Sequence, residues 1–266
     1  MKKKFSFKSL YLFLIILFFY APIIYVVVFS FNDSRSLTTL TGFSFRWYEK
    51  MFKSRSMMES VYYSLLVAVI ATIVSTVVGT IAAIGLSKSS RIIKEIVTQV
   101  NNIPMLNPDI VTAIGLMLFF TTLGIPTGFG TLLIAHIIFC IPYVMLSISP
   151  KLRQLDDNLA EAALDLGCTP IEGLIKVIIP QIKDGIISGA IVAFTMSFDD
   201  FVISYFTTGP GINNISTYVY SASKRINPSI NALSSLIVLV ITIVLIFMNV
   251  IPMIKERRSK KHEKVI

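Results

Sequence analysis

Three carboxylates interrupt stretches of chain that are otherwise free of charge. Asp109 stands in the apolar run Ile103–Ile125, directly after Pro108, and Asp199 and Asp200 stand side by side in Ile186–Phe206. An ionised side chain in hydrocarbon costs about 2.5–3.5 kcal/mol on insertion scales, so acids held at such depth usually serve a function. Neither run contains a Lys or Arg to neutralise them. Phe194, Phe198, Phe201 and Tyr205 follow one another at helical spacing through the second run. Carboxylates beside aromatic faces suit a cation: the acids offer charge-assisted hydrogen bonds and the rings offer their negative faces. Two structural alternatives stay open, in which the aspartates cap helix breaks or bond to a neighbouring chain. Adjacent residues project about 100° apart on a helix, so whether Asp200 shares the direction of Asp199 is also open. Trp47 is the sole tryptophan, next to Tyr48 and Glu49. It reads either as an interfacial belt residue or as a cation–π contact at the outer mouth of a path.

Other chemistries lack their residues. His136 and Cys140 share a helical face, but two ligands are too few for a metal site, and they read as a core pair. The two cysteines, Cys140 and Cys168, suggest no disulfide framework. No glycine is followed by lysine, so a nucleotide-binding Walker A loop is absent, as are the Gly-x-Ser-x-Gly and His-Glu-x-x-His signatures. A polytopic membrane enzyme would need a clustered catalytic set that two histidines do not provide.

The elements that must hold these residues are membrane helices. Of 266 residues, 54 % are hydrophobic and only 15 % charged, with a mean hydropathy of +0.75. Soluble domains carry about 25 % charge, so a soluble enzyme, a disordered chain and a coiled coil are excluded. Six runs approach the ~20 residues a span requires: Leu10–Phe31, Val61–Leu86, Ile103–Ile125, Phe129–Ser149, Ile186–Phe206 and Ile230–Ile254. The expected fold class is all-α, a single six-span domain over residues 1–266. Lys2, Lys3 and Lys4 imitate a signal peptide, but the run behind them is too long, and it reads as an uncleaved first helix. With the N-terminus inside, 17 Lys and Arg fall inside and 7 outside, together the 24 of the chain. The excess supports both termini in the cytoplasm, with Trp47 and Gly209–Gly211 outside. The exception is the first outer loop, with Arg35, Arg46, Lys50, Lys53 and Arg55. The tail residues Lys255, Arg257, Arg258, Lys260 and Lys261 form a basic run suited to anionic lipid. Gly185-x3-Gly189 suits close helix packing.

The longest inner segment, Pro150–Gly185, is polar yet patterned. Leu152, Leu155, Leu159, Ala162, Ala163 and Leu166 recur at helical spacing. Gly167 ends that helix as a residue free to take positive φ. Thr169-Pro170-Ile171-Glu172 starts a second helix, and Pro180 is expected to stop it. The result is an elbow over residues 151–180 whose apolar stripe could seat a partner or lie on its own bundle.

The elbow carries a resemblance. Glu161-Ala162-Ala163, three residues, Gly167, nine residues, then Val177-Ile178-Ile179-Pro180 resembles the EAA loop of binding-protein-dependent ABC importer permeases of type I. Val177 and Ile179 replace that pattern's Ile and Leu. Ser197-Phe198-Asp199-Asp200-Phe201 with Thr208-Gly209-Pro210-Gly211, Asn107-Pro108-Asp109-Ile110-Val111 and Phe45-Arg46-Trp47-Tyr48 are similar to the spermidine/putrescine (PotC-type) subfamily. The resemblance implies one half of a translocation path in a bacterial cytoplasmic membrane, with a second permease chain, a paralogue, as the other half. It implies two cytoplasmic ATPase subunits that bind ATP and Mg, so that this chain needs no cofactor. It implies an outside binding protein that delivers a polyamine, and no nucleic acid partner. Asp199, Asp109, Trp47, Asp200, Tyr205 and Phe198 would then line the path, and Glu161, Ala162, Ala163, Gly167 and Pro180 would couple it to the ATPase. A same-family permease for an amino acid, iron or sulfate is the alternative. A passive cation channel would leave the EAA-like loop without purpose.

Overall fold

The computed structural model describes residues 7–156, 158–222, 227–243 and 246. The basic tail and most of the last third of the expected sixth span lie outside them. Among the described residues the regular elements are helices: α1 (Phe7–Ser30), α2 (Arg46–Lys53), α3 (Arg55–Ser87), α4 (Arg91–Leu106), α5 (Asp109–Thr122), α6 (Phe129–Arg153), α7 (Leu159–Asp165), α8 (Pro170–Gly173), α9 (Ile179–Phe198), α10 (Val202–Thr207), α11 (Ile215–Ala222) and α12 (Ser229–Ile243). Four stretches are long and apolar enough to cross a bilayer: α1, α3, α6 and the continuous helical run Pro170–Phe198. The pair α4 and α5 would together make a fifth. The chain, expected as one domain, divides into two compact units: residues 1–58 with 219–266, and residues 59–218.

In the first unit α1 exposes apolar side chains on every side, Tyr11, Phe13, Phe18 and Phe19 among them, as a helix bathed in lipid does. The loop after it is held by Asn32, which is buried. Its amide nitrogen donates to the carbonyls of Ser36 and Thr39, and its amide oxygen accepts from the Thr41 N–H. An antiparallel bridge pairs Asn32 with Phe43, and the rings of Phe31, Phe43, Phe45 and Tyr48 pack together beside it.

The second unit is built around α6 and α9. Phe120, Phe139, Val144, Ile148, Ile182 and Ile203 fill its core, interleaved with Ala83, Ala113, Ala135 and Ala193. Small residues set the spacing. A Cβ on Gly79 would stand 2.8 Å from Val144 Cγ1, and one on Gly189 3.3 Å from Val144 Cα. In lipid, where helices gain little from hydrophobic burial against each other, such close approach supplies the attraction. Gly185 and Gly189 both face α6, as their spacing suggests.

Three expectations from the sequence are corrected. The third span is two helices bent by 106° at Asn107-Pro108. Proline disfavours the α conformation of the residue before it, and Asn107 is extended, with ψ 147°. The fifth span is broken at Asp199–Phe201, between α9 and α10. The helix expected from Leu152 to Leu166 is also divided. The end of α6 at Arg153 is separated from α7, and residue 157 between them lies outside the described residues.

Pro180 does not stop its helix, which is a fourth difference. A π-helical turn over Leu174–Ile178 precedes it and the chain runs on into α9. The wider turn removes the clash between the proline ring and the carbonyl one turn back. The start of this run is as expected. Thr169 Oγ1 accepts from the Glu172 N–H, and Glu172 Oε2 accepts from the Thr169 N–H at 3.0 Å.

Candidate functional site

The acids stand at helix ends. Asp199 follows the last turn of α9, where unpaired carbonyls already make the helix terminus negative. Its side chain is exposed and makes no ion pair among the described residues. Two aromatic pairs flank it. Phe194 and Phe198 stack at 5.8 Å before the break, and Phe201 and Tyr205 lie 5.5 Å apart after it, with Tyr205 half exposed. A carboxylate at the negative end of a helix, with rings on both sides, is a place for a cation.

Asp109 opens α5 beyond the bend and is exposed. It sits at the positive end of its helix, so part of its charge is balanced by the helix itself. The helix that it opens, α5, packs directly on α10, which follows the break in the fifth span.

Asp200 turns the other way. Its side chain is 6 % exposed, and its carboxylate accepts from the N–H groups of Ile203 and Ser204 and from the Ser204 hydroxyl. It caps α10, which is one of the alternatives open from sequence. His136 and Asn214, with Ser197 and Ser204, complete a buried polar cluster around it. Sequence reasoning placed His136 in a core pair with Cys140. The missed signal was the run of serines, Ser197 and Ser204, seven apart on either side of Asp200.

Trp47 belongs to the other unit and is 2 % exposed. Its Nε1–H donates to the Asn32 carbonyl at 2.6 Å. The Arg46 guanidinium and the Lys50 ammonium lie over its ring at 4.9 and 4.8 Å. The cation–π capacity expected at an outer mouth is taken up by the loop's own cations.

The elbow presents a surface. Gly167 has φ +86° and closes α7, with the Cys168 N–H donating to the Ala163 carbonyl and the Gly167 N–H to Leu164. Ala163 is buried against Gly173, whose Cβ, if present, would meet it at 3.4 Å. Glu161 and Ala162 face outward. Leu166, Ile171 and Ile175 are 86, 69 and 56 % exposed, an apolar stripe for which this chain offers no cover among the described residues. A cavity of about 500 Å³ lies near the elbow, between the ends of α3 and α6 and the side of α4, lined by Lys88, Lys94, Asn101, Arg153 and Asp156. It is separate from the acids of the breaks.

Comparison with known proteins identifies the family. Residues 75–259 match the family described as binding-protein-dependent transport system inner membrane component. The putrescine transport system permease protein PotI of Escherichia coli (strain K12) is 38 % identical over 83 % of this chain and 81 % of its own length. The spermidine/putrescine transport system permease protein PotC of Haemophilus influenzae (strain ATCC 51907 / DSM 11121 / KW20 / Rd) is 34 % identical over 88 % of this chain and 92 % of its own. The fold matches a chain of a bacterial ABC transporter that imports alginate, with a TM-score of 0.68 and 16 % identity over 92 % of this chain and 94 % of that one. These relatives are permeases of transport systems and not enzymes, and the apolar helices make this chain a multi-pass membrane protein of the type I importer fold. By its sequence, its helices and its relatives, the chain belongs to the family of binding-protein-dependent transport system inner membrane components.

Proposed function

We propose that this chain is a permease subunit of an ATP-driven importer of polyamines. The observation that carries the reading is Asp199: an exposed carboxylate at the negative end of a broken membrane helix, between two aromatic pairs, with no cation of its own chain to neutralise it among the described residues. Putrescine and spermidine are flexible polycations, and such a site answers both the ammonium ends and the apolar stem. Asp109, Phe198 and Tyr205 extend the same path. The names of the relatives support the same class of cargo. The chain would form half of the path with a second permease, receive cargo from an outside binding protein, and rest its elbow on an ATPase subunit that holds ATP and Mg.

Asp199→Asn tests this reading, because it keeps the shape and removes the charge. Losing a charge-assisted contact costs about 1.5–3 kcal/mol, or roughly ten- to a hundredfold. Putrescine uptake should fall by that factor while the amount of assembled complex stays unchanged. Normal uptake by both Asp199→Asn and Asp109→Asn would overturn the assignment. Joint loss of uptake and assembly would instead make Asp199 an inter-subunit contact.

A further inference from the structure

One imidazole reaches both sides of the break in the fifth span. His136, on α6 and 1 % exposed, has Nδ1 2.8 Å from Ser197 Oγ, in the last turn of α9. Its Nε2 lies 2.9 Å from Ser204 Oγ, in α10, and 3.5 Å from Asp200 Oδ2. The hydroxyl of Ser204 fixes which ring nitrogen carries the proton. A hydroxyl has one proton and two lone pairs. That proton is donated to Asp200 Oδ2 at 2.9 Å, and one lone pair accepts from Asn214 Nδ2 at 2.7 Å. The remaining lone pair must accept from His136 Nε2–H. In the neutral ring Nδ1 is then an acceptor, and Ser197 donates to it. Asn214 also donates to the Asp200 carbonyl at 3.1 Å. The cluster is closed, with His136 tied to the last helical turn before the unwound residues and to the first helical turn after them.

We propose that His136 is a positioning residue for the cargo carboxylate. Asp199 and Asp200 share a peptide bond. Asp200 is held inward by its three donors, and α10 is held by His136 and Asn214 through Ser204. With both flanks fixed, Asp199 has one direction left, outward from the cluster, and there it is exposed. Without the imidazole, the side-chain tie from Ser197 on α9 to Ser204 on α10 is lost while the other holds on α10 remain, and the Asp199 side chain between them loses part of its fixed bearing. The proposal rests on the reading of Asp199 as a path residue.

The test uses whole cells that make the complete importer, in a Cys168→Ser background, with putrescine as cargo. Asp199→Cys is labelled with a positively charged methanethiosulfonate, and Cys140 is buried. His136→Leu should raise the putrescine concentration for half-maximal uptake roughly tenfold and slow labelling at position 199 several-fold. His136→Gln can donate from its amide nitrogen and accept at its oxygen, so it should restore both to within about twofold of the native protein. A role in packing alone predicts no such rescue. If His136→Leu does not reach the membrane, Ser197→Ala, which removes one anchor, should move both readouts in the same direction. Unchanged labelling and uptake in His136→Leu, or in Ser197→Ala where it stands in, would overturn the proposal while leaving the path reading intact. So would equal loss in the Leu and Gln variants. Normal uptake by Asp199→Asn overturns the reading of Asp199 as a path residue, whatever the His136 variants do.

Discussion

Two neighbouring aspartates show how position assigns opposite work to identical side chains. Asp200 is acceptor-only and buried, and it meets three donors. Its charge is answered within the chain, and its product is a helix start. Asp199 meets none of these and carries its charge to the surface of the break. Trp47 shows a similar reassignment. Its type and its expected place near the membrane surface suggest a contact for cargo, yet its N–H closes its own loop on the Asn32 carbonyl. Trp47→Phe keeps an aromatic ring for Arg46 and Lys50 but removes that donor. A buried acceptor left without its partner costs about 1–3 kcal/mol. The variant should therefore lower the thermal stability of the purified complex and speed proteolysis in the loop 31–45, while the putrescine concentration for half-maximal uptake stays at its native value. A change in that concentration with native stability would return Trp47 to the path.

At the scale of elements, legibility in the sequence followed the kind of breaker involved. The bend at Asn107-Pro108 has a proline, whose ring acts on its neighbours in any context. The apolar run was nevertheless read across it as one span, whereas Gly167 and the Thr169 cap were readable because their effects are local. The break at Asp199–Phe201 contains neither proline nor glycine, and the apolar period runs straight across it. It depends on a polar cluster gathered from α6, α9, α10 and the chain before α11, which no local pattern displays. Pro180 misled in the opposite sense, because a π-helical turn absorbs it. The elbow supplies the test at this scale. A Cβ at Gly167 would meet nothing within 4 Å, so space is not the obstacle, but φ is +86°. A β-branched residue there pays at least the roughly 1–2 kcal/mol of left-handed strain. Gly167→Val should thus displace α7 and weaken cargo-stimulated ATP hydrolysis by the assembled importer, with Gly167→Ala intermediate. Native stimulation in the Val variant would show that the angle of the elbow does not carry the coupling.

At the scale of the whole chain, charge decides which way the helices thread the membrane. The outer loop was the discordant feature, with five cations on the side that should be poor in them. Several of these cations have partners within the loop. Arg46 pairs with Asp33 at 3.6 Å and also lies over Trp47, and Lys53 pairs with Glu49 four residues back. That ammonium holds the Glu49 carboxyl below the ordinary carboxylate range. Acidic partners contribute little to the orienting rule, so an inward C-terminus and an inward elbow remain an expectation that rests on the count of 17 inner against 7 outer Lys and Arg. The native cysteines make this testable with little engineering. Cys140 is buried and silent, and Cys168 sits in the elbow, half exposed. In intact cells an impermeant thiol reagent should leave Cys168 unmodified and should react with it once the membrane is permeabilised. Leu40→Cys, at a loop position 62 % exposed, should react in intact cells, and Ile171→Cys should behave as Cys168 does. Reaction of Cys168 and Ile171→Cys in intact cells, with Leu40→Cys protected, would invert the topology and move the elbow away from any cytoplasmic ATPase.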